Sequence, residues 1–251
     1  MSVVTIGVVG EDVESVYDAI QEAGASARTA LSEPIDDADC HVAVGESALL
    51  ALVRAGVETP VLPIGAGSGV GSVPMGETES AVDAILDGRE RVVSVPTLTV
   101  RRVNRTYRAL MDVMVVSTET AKISEYEIRL VADDRPYEVA DDVDTVRADG
   151  IVASTPIGTP GYGTAAGGPV MDPGLSGLSV VPVGQFRTDQ TDWILRPPLS
   201  IRVLREEIPV SLLVDDRAVG TVPRGTTVEL SWGPDLRLLR TPVSGPFLET
   251  Q

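Results

Sequence analysis

Lysine is almost missing from this chain: Lys122 stands alone against 19 arginines. That excludes a phosphate loop of the G-x-x-x-x-G-K-[ST] kind, whose lysine reaches the outer phosphates. Cysteine is equally scarce. Cys40 is the only one, so an internal disulfide is excluded and a reducing, cytoplasmic setting is expected. The single histidine, His41, follows it. Two adjacent residues are too few for zinc, which takes four ligands, so a structural pair and no protein metal site are expected. A Ser-His-Asp hydrolase would have to rest on His41 at a strand start, which is not expected either. Long apolar runs are absent too. Segments such as Val113–Val116 fall far below the ~18 residues of a membrane helix. The start, MSVVTIGVVG, has no basic stretch, so neither a signal peptide nor a membrane partner is expected.

Positive charge is the last shortage. There are 20 basic residues against 37 acidic ones, giving a net charge of −17 and a pI near 4.4. With no basic patch, nucleic acid is not an expected partner. Surplus Asp and Glu with almost no Lys reads as a surface adapted to concentrated salt. In molar salt the Debye length is only ~3 Å, so the self-repulsion is screened.

The ordering of apolar segments predicts two domains. In residues 1–90, strand-like runs at Val3–Val9, His41–Val44 and Val61–Ile64 alternate with helical spacing at Glu11–Ala23, Ser47–Ala55 and Thr78–Leu86. That alternation predicts an α/β domain with a parallel sheet. In residues 91–251, strands are expected at Val92–Val103, Leu110–Ser117, Glu125–Val131, Ile151–Ser154, Leu178–Val183, Ser200–Leu204, Val210–Val214 and Thr227–Ser231. Turn signals at Ala132–Asp134, Pro173–Gly174 and Asp215–Asp216 separate them. Helix signals nearly vanish, which predicts an all-β sandwich.

The densest signal is Thr155–Pro169, TPIGTPGYGTAAGGP, with glycine at 158, 161, 163, 167 and 168. It follows RADGIVAS, Arg147–Ser154, a strand feeding a turn. Glycine leaves no Cβ in the way, so such a turn either packs tightly or lets bare amides face a phosphate or ribose.

Four segments in order resemble the NAD kinase family. Val44-Gly45-Glu46-Ser47-Ala48-Leu49-Leu50 stands where the family has GGDG. Gly65–Val73 stands at its glycine-bearing turn. Ala109-Leu110-Met111-Asp112 stands where an Asn-Glu or Asn-Asp pair follows Ala-Leu. Arg147–Pro169 stands at the long run RADG…TPTGSTAYS…AGGP. Asp215-Asp216 stands where the family often has Asp-Gly in a hairpin. The resemblance implies phosphorylation of the 2′-hydroxyl of NAD by ATP and Mg²⁺, with Glu46 as the base and Gly45 and Gly67 near phosphate. It implies nucleotide contacts from Asp112, Arg147, Asp149, Thr155, Gly158, Gly161 and Tyr162. It also implies assembly through the β domain as a homodimer or homotetramer. NAD(P) and adenine nucleotides are the implied ligands.

The departures cluster at those same positions. Glu46 replaces an aspartate, and an extra methylene moves the carboxylate by ~1 Å, a displacement worth up to ~10²-fold in rate. Val44 and Ser47 replace glycines, Met111 replaces an asparagine, Ile157 replaces a Thr or Ser, and Pro160-Gly161 replace a Thr-Ala pair. Three readings stay open: an active kinase, a nucleotide-binding protein without phosphoryl transfer, and a partner subunit of an active paralogue. For Asp149 turn capping competes with ligand contact, for Tyr162 core packing does, and for Asp112 an edge-strand position does.

Overall fold

The computed structural model describes residues 4–67, 69–119, 123–131, 142–186 and 191–248. Lys122 and the turn expected at Ala132–Asp134 lie outside the described residues. The chain forms two compact units, residues 1–95 with 235–251, and residues 96–234.

The first unit begins β1 (Thr5–Gly10), α1 (Glu14–Glu22), β2 (Ser26–Ala30), β3 (Cys40–Val44), α2 (Glu46–Ala55), β4 (Val61–Ile64), α3 (Thr78–Leu86) and β5 (Arg91–Val95). Their sheet runs β2-β1-β3-β4, then the chain's last strand, Leu236–Arg240, then β5. All neighbours are parallel except the last pair, which is antiparallel. β1, β3 and β4 are apolar because helices cover both faces. α1 buries Val16, Ala19 and Ile20 in the spacing of one helical face, and α3 buries Ala81, Val82 and Ala84. α2 buries every residue from Ala48 to Val53. Each helix stops before a left-handed glycine: Gly24, Gly56 or Gly88.

The second unit holds β6 (Leu98–Arg102), β7 (Arg105–Ala109), β8 (Asp112–Ser117), β9 (Ser124–Leu130), β10 (Asp142–Ala148), β11 (Gly150–Ser154), β12 (Leu178–Val183), β13 (Trp193–Leu195), β14 (Leu199–Arg205), β15 (Val210–Val214), β16 (Arg217–Thr221) and β17 (Thr227–Trp232). One sheet is β10-β9-β14-β17-β6-β7 and the other β13-β12-β11-β8-β15-β16, all antiparallel. Period-two alternation on β9 puts Tyr126, Ile128 and Leu130 into a shared core with Val113, Val115, Ile151 and Val180 of the opposite sheet. This is the expected sandwich.

Three expectations are corrected. The run Val92–Val103 is two strands in different sheets, because Pro96 has no N–H to continue a ladder. α1 starts at Glu14 rather than Glu11, since Asp12 takes a left-handed turn, φ 52°. Residues 235–251 belong to the first unit rather than the second. That last strand, β18 (Leu236–Arg240), buries Leu236, Leu238 and Leu239 between β4 and β5. Among the described residues no helix is long and apolar enough to cross a membrane.

Candidate nucleotide site

In the first unit the chemistry gathers where β3 and β4 end. Gly45 leaves β3 with φ 85°, its N–H donating to the Ile64 carbonyl at 2.8 Å. A Cβ at Gly45 would meet nothing, so conformation rather than space requires glycine there. The next residue, Glu46, opens α2, whose first amides have no side-chain cap. Free amides at a helix start favour an anion.

The turn after β4 faces this helix start. Gly65, Gly67, Gly69 and Gly71 all have positive φ. The Ala66 amide donates to the Ser72 hydroxyl oxygen at 2.8 Å, and the Gly65 amide donates to the Val73 carbonyl at 2.8 Å. A Cβ on Gly67 would lie 3.5 Å from Glu46 Oε2. The exposed Glu46 carboxylate therefore hangs over the turn. Of the two lost glycines, Ser47 points to solvent. Val44 has room for its side chain beside Gly10, where a Cβ would come 3.1 Å from Val44 Cβ.

The second unit carries a different construction. Asp112, Ser154 and Ser179 are directly opposite one another on β8, β11 and β12. They face away from the sandwich core, yet all three are buried. The segment 155–171 covers them, including a π-type turn at Thr159–Gly163. Its glycines make close packing possible. A Cβ on Gly158 would sit 2.0 Å from the Met111 carbonyl oxygen. On Gly163 it would sit 3.0 Å from Ser154 Oγ, and on Gly168 2.5 Å from Val181 Cγ2.

Thr155 is the latch of this cover. Its hydroxyl donates to the Leu110 carbonyl at 2.7 Å and its amide to the Met111 carbonyl at 2.8 Å. Its carbonyl accepts the Gly158 and Thr159 amides at 2.9 and 3.0 Å. Thr155 and Gly158 thus act within the fold, shaping the segment rather than facing outward. Gly161 and Tyr162 do face outward. A Cβ on Gly161 would meet nothing, and Tyr162 is 53% exposed, so it is not a core residue.

Asp149 and Arg147 are not brought to this cluster. They precede β11, while Thr155 follows it, so about 17 Å of extended strand separates the two ends. Asp149 packs beside Gly184, where a Cβ would lie 2.9 Å from Oδ2. Arg147 is exposed and pairs across the strands with Glu125 at 3.7 Å.

The sequence reading missed one organiser. Asp215, at φ 50° between β15 and β16, accepts the amides of Leu110 (3.0 Å), Met111 (2.8 Å) and Asp112 (3.1 Å) on its carboxylate. Its own amide donates to the Asp112 carbonyl at 2.9 Å. Burial pushes its carboxyl above the ordinary range, against the pull of those three amides. The signal available was an acid at a tight turn, where Asp tolerates positive φ.

The Cys40–His41 pair is structural in its contacts. Burial pushes the Cys40 thiol up to about 12, helped by Asp39. His41 Nε2 accepts the Ile35 amide at 2.8 Å and Nδ1 meets the Thr59 hydroxyl at 2.7 Å, while burial lowers its pKa.

Residues 112–236 match the family model of the ATP-NAD kinase C-terminal domain. The NAD kinase of Methanothermobacter thermautotrophicus is 30% identical over 173 residues, 66% of this chain and 58% of that protein. The chain belongs to the NAD kinase family. Within that family, the bifunctional NADP phosphatase/NAD kinase of Methanocaldococcus jannaschii is 28% identical over 145 residues, 55% of this chain and 24% of that protein. The matches thus span less than two thirds of the length of these curated relatives. An NAD kinase from Archaeoglobus fulgidus, solved in complex with ATP, shares the NAD kinase fold at a TM-score of 0.75 and 20% identity, covering 95% of this chain and 94% of that one. Yeast NADH kinase, solved with NADH, gives 0.76 at 14% identity, covering 97% and 85%.

Proposed function

We propose that this chain transfers the γ-phosphoryl group of ATP to the 2′-hydroxyl of NAD, giving NADP and ADP. The observation that carries the reading is Glu46 at the start of α2, with its carboxylate over Gly67. In the step, the 2′-oxygen bonds to the γ-phosphorus as the bond to the β–γ bridging oxygen breaks, and Glu46 takes the hydroxyl proton. The α2 amides and the turn after β4 orient the phosphates and meet charge as it develops. Among the described residues no group of three or more His, Cys, Asp or Glu is set to hold a metal. Mg²⁺ would enter as a companion of the triphosphate, its usual mode. Gly161 and Tyr162 are the ligand-facing candidates of the second unit, Tyr162 by packing on a base, while Asp112 lies buried in the polar row beneath segment 155–171. Asp149 and Arg147 serve a ligand only at the other end of β11. Assembly as a homodimer or homotetramer is part of the proposal, read by light scattering.

A second reading, nucleotide binding without transfer, is favoured by specific residues. Ile157 is buried where the family presents a hydroxyl, and Met111 carries no amide to hold a ribose. The experiment is NADP formation from NAD and ATP·Mg²⁺ in molar KCl. The wild type should make NADP, and Glu46→Gln should lower kcat by ~10²-fold or more while still binding nucleotide. If the wild type makes none over long incubation while ATP and NAD still raise its Tm, the second reading replaces the first.

A further inference from the structure

We infer that Arg240 is a positioning residue for the phosphate-facing turn after β4, an inference that rests on the function proposed above. Arg240 closes β18 and is 7% exposed. Among the described residues its guanidinium meets no carboxylate, unlike the surface residues Arg129 and Arg147. Nη1 donates to the carbonyl of Gly71, in the turn, and Nη2 donates to the carbonyl of Gly245, in the tail. The Gly245 amide then donates to the Ser72 carbonyl at 2.9 Å, and the Phe247 ring covers the guanidinium with its centroid 4.6 Å away. The planar fork thus holds two backbone segments at once, which an ammonium group does not do in the same way.

Gly71 shows how closely the turn is moulded to this side chain. It has φ 62°, and a Cβ there would fall 1.4 Å from Nη1. Arg240 Nε is buried with no hydrogen-bond partner among the described residues. Burial, with Arg91 nearby, pulls its pKa down from the ordinary value. A buried cation on neutral carbonyls is costly, so packing alone is a poor reason to keep it. Its bond to Gly71, together with the Gly245 segment it holds against Ser72, fixes the last part of the turn whose earlier residue Gly67 lies beside Glu46.

The test compares wild type with Arg240→Lys and Arg240→Met. Hydrogen–deuterium exchange at Val70–Val73 reads the clamp without any ligand. The Tm rise given by ATP beyond that given by adenosine reads the phosphates. Both variants should exchange faster at Val70–Val73 and Ser244–Phe247 while β1 and β3 stay protected. Their apparent Kd for ATP should rise about tenfold or more, with adenosine affinity unchanged. Unchanged exchange in the turn overturns the inference, as does full ATP affinity with a loosened turn. Should Arg240→Met fail to fold, Arg240→Lys and Phe247→Leu carry the same comparison, since each keeps a cation in place. If wild type itself gains nothing from ATP over adenosine, the proposed function falls, while the exchange data still judge the clamp.

Discussion

The two glycine-rich segments of this chain use the same residue for opposite reasons. In the turn after β4, glycine first supplies backbone conformation: Gly65, Gly67, Gly69 and Gly71 have positive φ, and although Gly71 is also packed against Arg240, a Cβ on Gly67 would meet only the end of the Glu46 side chain. In Thr155–Pro169, glycine mostly supplies closeness. Gly158, Gly163 and Gly168 have no positive φ, and each is pressed against neighbouring atoms. Only Gly161 and Gly167 there border open space. The longer and more recognisable segment is therefore chiefly a lid on a buried polar row, and the shorter one is the better placed for phosphate.

The comparison breaks most easily at Gly158→Ala. Its new Cβ would stand 2.0 Å from a backbone oxygen that Thr155 and Asp215 hold in place. A loss of about 4 kcal/mol or failure to fold is expected, read by urea unfolding, and a loss under about 1 kcal/mol would refute the close-packing account. Next is Asp215→Ala, which strands the amides of Leu110, Met111 and Asp112. It should cost about 3 kcal/mol, and Asp215→Asn should recover part of it by keeping one acceptor. Gly67→Ala should cost only about 1–2 kcal/mol of backbone strain at φ 82°, but it should weaken ATP far more than stability alone explains. Gly161→Ala should cost about 1 kcal/mol, since its Cβ meets nothing and only its unusual backbone, φ −91° and ψ −116°, opposes a side chain.

The first unit can be followed separately by pH. His41 is the chain's only histidine, and burial lowers its pKa below the ordinary 6.5. The unfolded chain then binds the proton more readily than the native one. Stability should be level above pH 6.5 and fall as pH drops from there toward the lower native value. A His41→Gln variant that keeps the same slope would contradict this assignment.

Much of this was legible in the residues. The apolar runs of β1, β3 and β4 and the glycine stops of the helices declare an α/β unit, and period two on β9 declares a sandwich. β2 (SARTA) escaped because it is an edge strand with little apolar content. β18 was missed because nothing local to LRLLR tells which sheet it joins; its partner strands lie far away in sequence. The site divided in the same way. Gly45 and Glu46 belong to a local strand–turn–helix and Gly67 to the turn after the next strand, and both turns were readable from short-range pattern. The separation of Asp149 from Tyr162 was hidden, because β11 runs between them and the motif reads as one continuous block. Asp215 stood out only as a turn and a family position, and Arg240 not at all, because each acts across more than a hundred residues of sequence.

The most direct test of the account is a thermal-shift titration of the full chain with ATP and with NAD in molar KCl. Ligand bound only by the native state raises Tm by mass action. The account predicts a concentration-dependent rise with each nucleotide, weakened for ATP by Gly67→Ala and for NAD by Tyr162→Ala. No rise with any adenine nucleotide at millimolar concentration would contradict it.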